Sequence, residues 1–270
     1  MFDLDSTQNP GLQLQLILKD LFPVTTVNRA DFVAKMDDLL YSEGEFSSIV
    51  YDSCINYMVR RLITTSEYYK RQYDPTVYPS DRYVQEIRRF LQQRTKIPYN
   101  RREQILSLLL QCLQERAKYP TPKAKSTLRA KTKEQGLYCY ICGREINFED
   151  DTAYNAFDAE HVWPRTLGGK NDATNLAGVC RRCNQEKENY IDYADFHYEE
   201  MCLVSHESEQ SFSNEFKWGY RVALSAKSNF RCVICDQPAA YVGELKFARR
   251  DRDDSWHFLN IDAYCAQHAP

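Results

Sequence analysis

The stretch from residue 139 to residue 184 reads CYICGREINFEDDTAYNAFDAEHVWPRTLGGKNDATNLAGVCRRCN and contains five short motifs. In chain order they are Cys139-x2-Cys142, Glu160-His161-Val162-x-Pro164, Gly168-Gly169, Asn175-Leu176 and Cys180-x2-Cys183-Asn184. Any one of these motifs alone would be weak, because short patterns also arise by chance. Their order within one short stretch makes it the part of the chain that decides the fold and the chemistry.

Composition limits the class of protein around this stretch. The chain has 270 residues, 43% of them apolar, which suffices for one large domain or for two to three small ones. A net charge of −3 gives by itself no reason to expect a nucleic-acid partner. The N-terminus lacks the basic and apolar regions of a signal peptide, and the longest apolar run, near Ile105–Leu113, is too short to span a bilayer. We therefore expect a soluble, cytoplasmic protein with no membrane partner.

The sequence predicts an α+β chain with a mainly helical N-terminal part. Glycine is scarce before Gly136, and this part is rich in Leu, Gln, Arg and Lys, which favours helices. Tyr68–Tyr78, with its prolines, predicts a connecting loop, whereas Thr121-Pro122 is a typical helix start and Gly136 a typical stop. The predicted segments are a helical domain (1–115), a basic linker helix (116–136), a motif-bearing domain (137–200), a connecting segment (201–225) and a small C-terminal module (226–270). The helical domain is interpreted as a scaffold or as a site for a protein partner.

Cysteine spacing predicts two structural zinc sites. Most of the ten cysteines lie in x2 pairs, which suit metal knuckles in a reducing compartment better than disulfides. The predicted ligands are Cys139, Cys142, Cys180 and Cys183 for the first zinc, and Cys232, Cys235, Cys265 and His268 for the second. The alternatives are four free buried cysteines at the first site and a frayed, unliganded His268 at the second. The lone Cys54, Cys112 and Cys202 are interpreted as core residues. The sequence of the first cysteine knuckle, residues 137–143, is similar to that of a second knuckle at residues 230–236.

Over about residues 139–189 the chain resembles the HNH endonuclease family, the ββα-metal nucleases. The family pattern is an acidic residue or His, then His, later Asn-Leu, then Cys-x2-Cys-His/Asn and a Lys. The matching residues are Glu160, His161, Asn175-Leu176, Cys180-x2-Cys183-Asn184 and Lys187. Asn at the third position makes this the HNN variant of the pattern. The resemblance implies a zinc-stabilised, treble-clef-like ββα-metal domain.

The resemblance also implies roles for the matching residues. It implies that His161 is the general base, that Glu160 and Asn184 bind a catalytic Mg²⁺ or Mn²⁺, and that Asn175 ties the loop to its own backbone. Histidine titrates near neutral pH, and hard oxygen ligands suit these cations, so the residue types fit those roles. Glu160 departs from the family pattern, which more often has Asp or His at this position, and its side chain is one methylene longer than that of Asp. The alternatives are an ordinary structural His161 and an Asn184 that caps a helix.

Basic side chains around the motif are candidates for phosphate contacts. A run of Lys and Arg directly before the motif suggests nucleic-acid binding, although a solvated helix face is the alternative. The predicted contacts are Lys123, Lys125, Arg129, Lys131, Arg165, Lys170, Arg181, Arg182 and Lys187.

Two hypotheses of function follow from the sequence. The first is a metal-dependent endonuclease acting on DNA, with RNA not excluded and with restriction or antiviral defence as a guess. A homodimer would be one way for a single-site nuclease to break both strands. The second is a catalytically silent, zinc-dependent nucleic-acid-binding module. Such a module needs the cysteines but not Glu160, His161 and Asn184 together, which favours the enzyme.

Overall fold

The computed structural model describes residues 9–23, 45–196 and 217–270. Cys202 and most of the predicted connecting segment lie outside the described residues. The described residues form helices and two small antiparallel sheets, which confirms the α+β class. The helices are α1 (Pro10–Leu21), α2 (Glu45–Gln72), α3 (Arg82–Gln93), α4 (Tyr99–Arg116), α5 (Pro122–Glu134), α6 (Arg181–Lys187), α7 (Trp218–Lys227) and α8 (Ala239–Val242), and the strands are β1 (Phe157–His161), β2 (Leu176–Cys180), β3 (Lys246–Arg249) and β4 (Ile261–Tyr264).

Helices α1 to α4 pack around one apolar core. On α4, Ile105, Leu109 and Cys112 recur at helical spacing and are fully buried, so one face of the helix supplies the centre of that core. Two residues from the loop after β1, Trp163 and Leu167, are buried in the same core. The helical part and the motif-bearing part, which the sequence analysis separates at residue 115, therefore contribute side chains to the same core. The segment boundaries stay a prediction.

The β1–β2 hairpin and α6 form a ββα unit. The strands pair antiparallel, with Phe157 opposite Cys180 and His161 opposite Leu176. Helix α6 starts directly after β2 and ends at Lys187, because Glu188 has a left-handed backbone (φ 46°). The sequence itself predicts one helix from about Arg182 through Glu200. That prediction is wrong for residues 188–196, and residues 197–200 lie outside the described part.

The two cysteine knuckles share one conformation and one core. Gly143 and Asp236 hold equivalent positions with left-handed φ angles of 69° and 55°, and each donates its N–H to the first cysteine of its knuckle. A Cβ on Gly143 would lie 1.9 Å from the carbonyl oxygen of Gly243, so the turn after α8 approaches the first knuckle too closely for any other residue at position 143. The internal repeat is thus a repeat of structure, and the C-terminal module packs on the motif-bearing part.

Two predictions about helix ends have different outcomes. The Thr121 side chain accepts a hydrogen bond from the N–H of Ala124 (3.1 Å), and Gly136 is left-handed after the helix, so the predicted start and stop signals are confirmed. The start of the basic linker helix at residue 116 is wrong, because Arg116 belongs to α4 and residues 117–121 are not helical. The loop predicted over Tyr68–Tyr78 is wrong in its first part, because α2 continues to Gln72. Among the described residues, no helix is long and apolar enough to cross a membrane.

Candidate active site

The four cysteines of the first predicted zinc site lie together and are buried. Their Sγ atoms are all within 4.8 Å of one another, which suits a single tetrahedral ion. Cys180 ends β2 and Cys183 lies in the first turn of α6, so a zinc ion here would fix the helix to the hairpin. Trp218 on α7 donates its indole N–H to Cys183 Sγ at 3.2 Å. The donor set is that of a structural zinc site.

The second cluster brings together Cys232, Cys235, Cys265 and His268 within the same limit. Nδ1 of His268 lies 3.1 Å from Cys265 Sγ, so this histidine is close to the other ligands and not frayed.

Of the lone cysteines, Cys112 is buried in the helical core as expected. Cys54 is exposed, and its interpretation as a core residue is wrong, because it lies on the solvent side of α2.

His161 ends β1, and its ring is held by one amide. Nε2 of His161 lies 2.8 Å from Oδ1 of Asn171, whose Nδ2 donates to the Glu115 carbonyl at 3.3 Å. Because that donation turns Oδ1 of Asn171 toward the ring, the hydrogen bond favours the tautomer with the proton on Nε2, in which Nδ1 is the acceptor. Burial lowers the pKa of His161; the hydrogen bond to Asn171 raises it, and the nearby charges of Arg165, Lys187 and Lys125 lower it further. A neutral imidazole is therefore favoured near pH 7.

Asn175 joins the two ends of the loop that follows His161. Its Oδ1 accepts from the N–H of Trp163 (2.7 Å), and its Nδ2 donates to the carbonyls of Trp163 (2.9 Å) and Lys170 (3.0 Å). Gly168, with φ 84°, supplies the left-handed turn that the loop needs. The start of α1 adds a further tie, because Asn9 Oδ1 accepts from the N–H of Lys170 at 3.0 Å. These contacts fit the structural role that the resemblance implies for Asn175.

Glu160 and Lys187 form a buried ion pair. Each side chain is 3% exposed, and Lys187 Nζ lies 2.8 Å from Glu160 Oε1. The Tyr140 hydroxyl donates to the other carboxylate oxygen at 2.6 Å, and Lys187 also donates to the His161 carbonyl at 3.2 Å. Burial raises the pKa of Glu160, while Lys187 and Tyr140 oppose that rise. The prediction that Lys187 contacts phosphate is wrong, because its ammonium group is enclosed and hydrogen-bonded. Glu160 stays a predicted metal ligand, although both of its oxygens are engaged.

This pair supports a prediction about stability. We expect Lys187→Ala to lower the free energy of unfolding by about 3 kcal/mol, at the lower end of the range for a broken buried pair. The lower end applies because Glu160, left without its partner, can take up a proton. Urea denaturation would measure the change, with Lys123→Ala on the exposed side of α5 as the control within about 0.5 kcal/mol of wild type. Equal stability of both variants would contradict the prediction.

Asp158, which the sequence analysis did not select, faces Asn184. Asn184 Nδ2 donates to Asp158 Oδ2 at 2.7 Å, and both side chains are half-buried. Residues alternate sides along a strand, so Asp158 and Glu160 share the face of β1 that packs on α6. The spacing Asp158-x-Glu160 was the signal that could have identified it. Asn184 lies inside α6, whose N-cap residue is Cys180, so the capping alternative is wrong.

The predicted phosphate contacts differ in their exposure and in their partners. Lys123, Lys125 and Lys131 are exposed on α5, whereas Arg129 is used internally, because it pairs with Asp151 at 3.0 Å and donates to the Phe148 carbonyl. Its prediction as a phosphate contact is therefore not favoured. Arg165 and Arg182 stack on aromatic rings, at 4.2 Å from Tyr119 and 4.3 Å from Trp218 respectively. Lys170 and Arg181 are half-buried. Of the whole set, Lys125, Arg165 and the buried Lys187 act electrostatically on His161.

Comparison with known proteins gives a family match for the central part of the chain. Residues 139–196 match the family model described as HNH endonuclease. No curated protein and no solved structure matches the chain. The matched residues include the first cysteine cluster, the β1–β2 hairpin, α6 and His161. Together with the ββα arrangement, this match shows that residues 139–196 of the chain form a domain of the HNH endonuclease family.

Proposed function

We propose that this protein is a metal-dependent endonuclease that hydrolyses phosphodiester bonds in DNA, with His161 as its general base. The observation that carries the proposal is the half-buried imidazole at the end of β1, which Asn171 orients and whose pKa is lowered by burial. Such a ring presents an unprotonated Nδ1 at neutral pH, which is what proton abstraction from water requires. A silent binding module would have no use for a histidine held in one tautomer.

Each residue of the site has a separate task in this proposal. His161 takes the proton of the attacking water at Nδ1, and Asn171 keeps the ring in position. Exposed Lys125 and half-buried Arg165 attract and hold the phosphate backbone. A bound Mg²⁺ or Mn²⁺ would neutralise charge on the phosphate and stabilise the departing 3′ oxygen. The carboxylate and amide oxygens of Asp158 and Asn184 suit such a cation, and Glu160 is the ligand that the resemblance implies.

The proposal is tested by plasmid cleavage in the presence of Mg²⁺ or Mn²⁺. We expect His161→Ala to lower the cleavage rate about 10²- to 10⁴-fold, the usual contribution of a general base. Zinc content and circular dichroism should match the wild type. His257→Ala is the matched control, because His257 pairs with Asp254 at 2.9 Å at the surface of the C-terminal module. Undiminished cutting by His161→Ala would exclude His161 as the base.

Further arms of the same experiment separate the remaining alternatives. DNA binding without cutting in either cation would support the silent binding module, and cutting of RNA alone would replace DNA as the substrate. The ratio of nicked to linear plasmid reports whether two sites act together, as a homodimer would. The helical part holds the loop after His161, so its contacts favour the scaffold interpretation over a site for a protein partner. A place in restriction or antiviral defence stays a hypothesis from the resemblance.

A further inference from the structure

A basic groove lies beside the candidate active site, on the helical part of the molecule. It has a volume of about 450 Å³ and runs between the end of α2, the end of α4 and the turn after β1. Its charged lining residues are Glu67, Lys70, Arg71, Asp74, Arg116 and Arg165. Four cationic side chains therefore face two carboxylates, and the groove carries a positive charge.

Two arginines of the groove are held in place by a carboxylate that also lines it. Glu67 lies 2.9 Å from Nε of Arg71 and 2.5 Å from Nη2 of Arg116, so one carboxylate orients two guanidinium groups. Arg116 also donates to the Thr166 carbonyl at 3.0 Å. A guanidinium group has five N–H donors, and these contacts leave donors on each arginine for a ligand. Arg71 is the more accessible of the two, with 76% of its side chain exposed.

Hydrogen bonds connect the groove to His161. Asn171, the partner of the His161 ring, donates to the carbonyl of Glu115, and Arg165 donates to the carbonyl of the next residue, Arg116, at 2.6 Å. The end of α4 thus supports both the candidate base and the wall of the groove. A nucleic-acid strand bound at His161 would enter the groove by passing Arg165.

An exposed aromatic ring lies at the same edge of the groove. Tyr119 is 73% exposed, and the Arg165 guanidinium lies 4.2 Å from its ring centroid. An exposed tyrosine next to oriented arginines is a surface on which a nucleic-acid base can stack while its phosphates contact the cations.

We propose that this groove binds the phosphate backbone of the nucleic-acid strand that continues from the scissile phosphate, with Tyr119 stacking against a base. This rests on the proposed function. The ligand is a polyanion because oriented arginines and a lysine outnumber the carboxylates, and because Arg165 connects the groove to His161. Apart from Arg165, the cations of the groove and Tyr119 lie outside residues 139–196, so the helical part itself contributes to substrate binding.

The test measures DNA binding separately from cleavage. All variants are made in the His161→Ala background, and fluorescence anisotropy follows a short duplex and a single-stranded oligonucleotide over a range of salt concentrations. We expect Lys70→Ala with Arg71→Ala to weaken binding about tenfold at 0.1 M salt and to reduce the salt slope by about 1 for each phosphate that the variant no longer binds. The matched control is Arg88→Ala with Arg101→Ala, which removes two exposed cations of the same helical part that pair with Glu103 and Asp20.

The outcomes distinguish the groove from the catalytic proposal. In the His161-containing enzyme, the groove variant should raise KM and leave kcat unchanged. Tyr119→Ala should weaken binding of the single strand at least about fivefold and binding of the duplex less. Affinity and salt slope equal to those of the control would overturn the groove as a binding site, whether or not the protein cuts DNA. Equal losses for both oligonucleotides would overturn the stacking role of Tyr119.

Discussion

Cys180→Ser is expected to release the first zinc ion and to unfold the family-matched domain. The four cysteines are buried within one core, and Cys180 joins β2 to α6, so the metal would fix the hairpin to the helix at the centre of that core. A structural zinc ion contributes about 10–16 kcal/mol of binding free energy in small zinc domains. That is as large as the whole stability of a typical domain, about 5–15 kcal/mol. Loss of one thiolate should therefore abolish the folded state of this part.

Metal analysis and near-ultraviolet circular dichroism would measure this effect. The wild-type protein should contain two zinc ions per chain, one for each cluster of ligand residues. Cys54→Ser is the matched control, because Cys54 is exposed and belongs to neither cluster, and this variant should keep both ions. A Cys180→Ser protein with wild-type zinc content and an unchanged melting temperature would contradict the assignment of the first zinc site.

The features that could be predicted from the sequence are mostly local. A knuckle needs only two cysteines and a turn, and a helix start needs only Thr121 and Pro122, so a few neighbouring residues decide the geometry. The HNH resemblance is also local, because its motifs lie within one short stretch, and the family match confirms it. The two predicted strands follow from the same stretch.

The features that could not be predicted depend on contacts between distant residues. The sequence predicts Lys187 as a phosphate contact because lysine is usually exposed, but its side chain is buried and bound to the Glu160 carboxylate and the His161 carbonyl. The basic groove depends on α2 continuing to Gln72, because Lys70 and Arg71 lie in its last turn. The tyrosines and prolines of Tyr68–Tyr78 predict a loop for the same residues. The burial of Trp163 in the helical core likewise depends on helices from another part of the chain.

The second large effect concerns which carboxylate would bind the proposed catalytic cation, and we expect Asp158→Asn to impair metal binding. Both oxygens of Asp158 accept hydrogen bonds from uncharged donors, Asn184 Nδ2 at 2.7 Å and the N–H of Ala159 at 2.8 Å, and the side chain is half-buried. The Glu160 carboxylate, by contrast, is buried and bound by the Lys187 ammonium. A cation at Glu160 would have to displace the Lys187 ammonium from a buried site, which is costly. Asp158 therefore offers the more available charged oxygen on this face of β1.

Mn²⁺ binding to the zinc-loaded protein, followed by electron paramagnetic resonance without DNA, tests this choice independently of cleavage. Asp158→Asn keeps the size of the side chain and removes its charge, and we expect it to lower Mn²⁺ affinity at least about tenfold, as loss of a group that supports a metal site does. Asn184→Ala should have a comparable effect. Cleavage should fall in parallel, because in the proposed mechanism the cation would stabilise the charge that develops on the phosphate and on the departing oxygen.

The comparison with Glu160 needs a variant that keeps the fold. Glu160→Gln alone leaves the Lys187 charge buried without a partner, so the matched variant combines it with Lys187→Met, which removes both charges together. We expect this double variant to bind Mn²⁺ nearly as well as the wild type. The opposite result, with Mn²⁺ binding lost in the double variant and kept in Asp158→Asn, would assign the cation to Glu160. It would also mean that metal binding separates Glu160 from Lys187, so that the ion pair belongs to the metal-free protein alone.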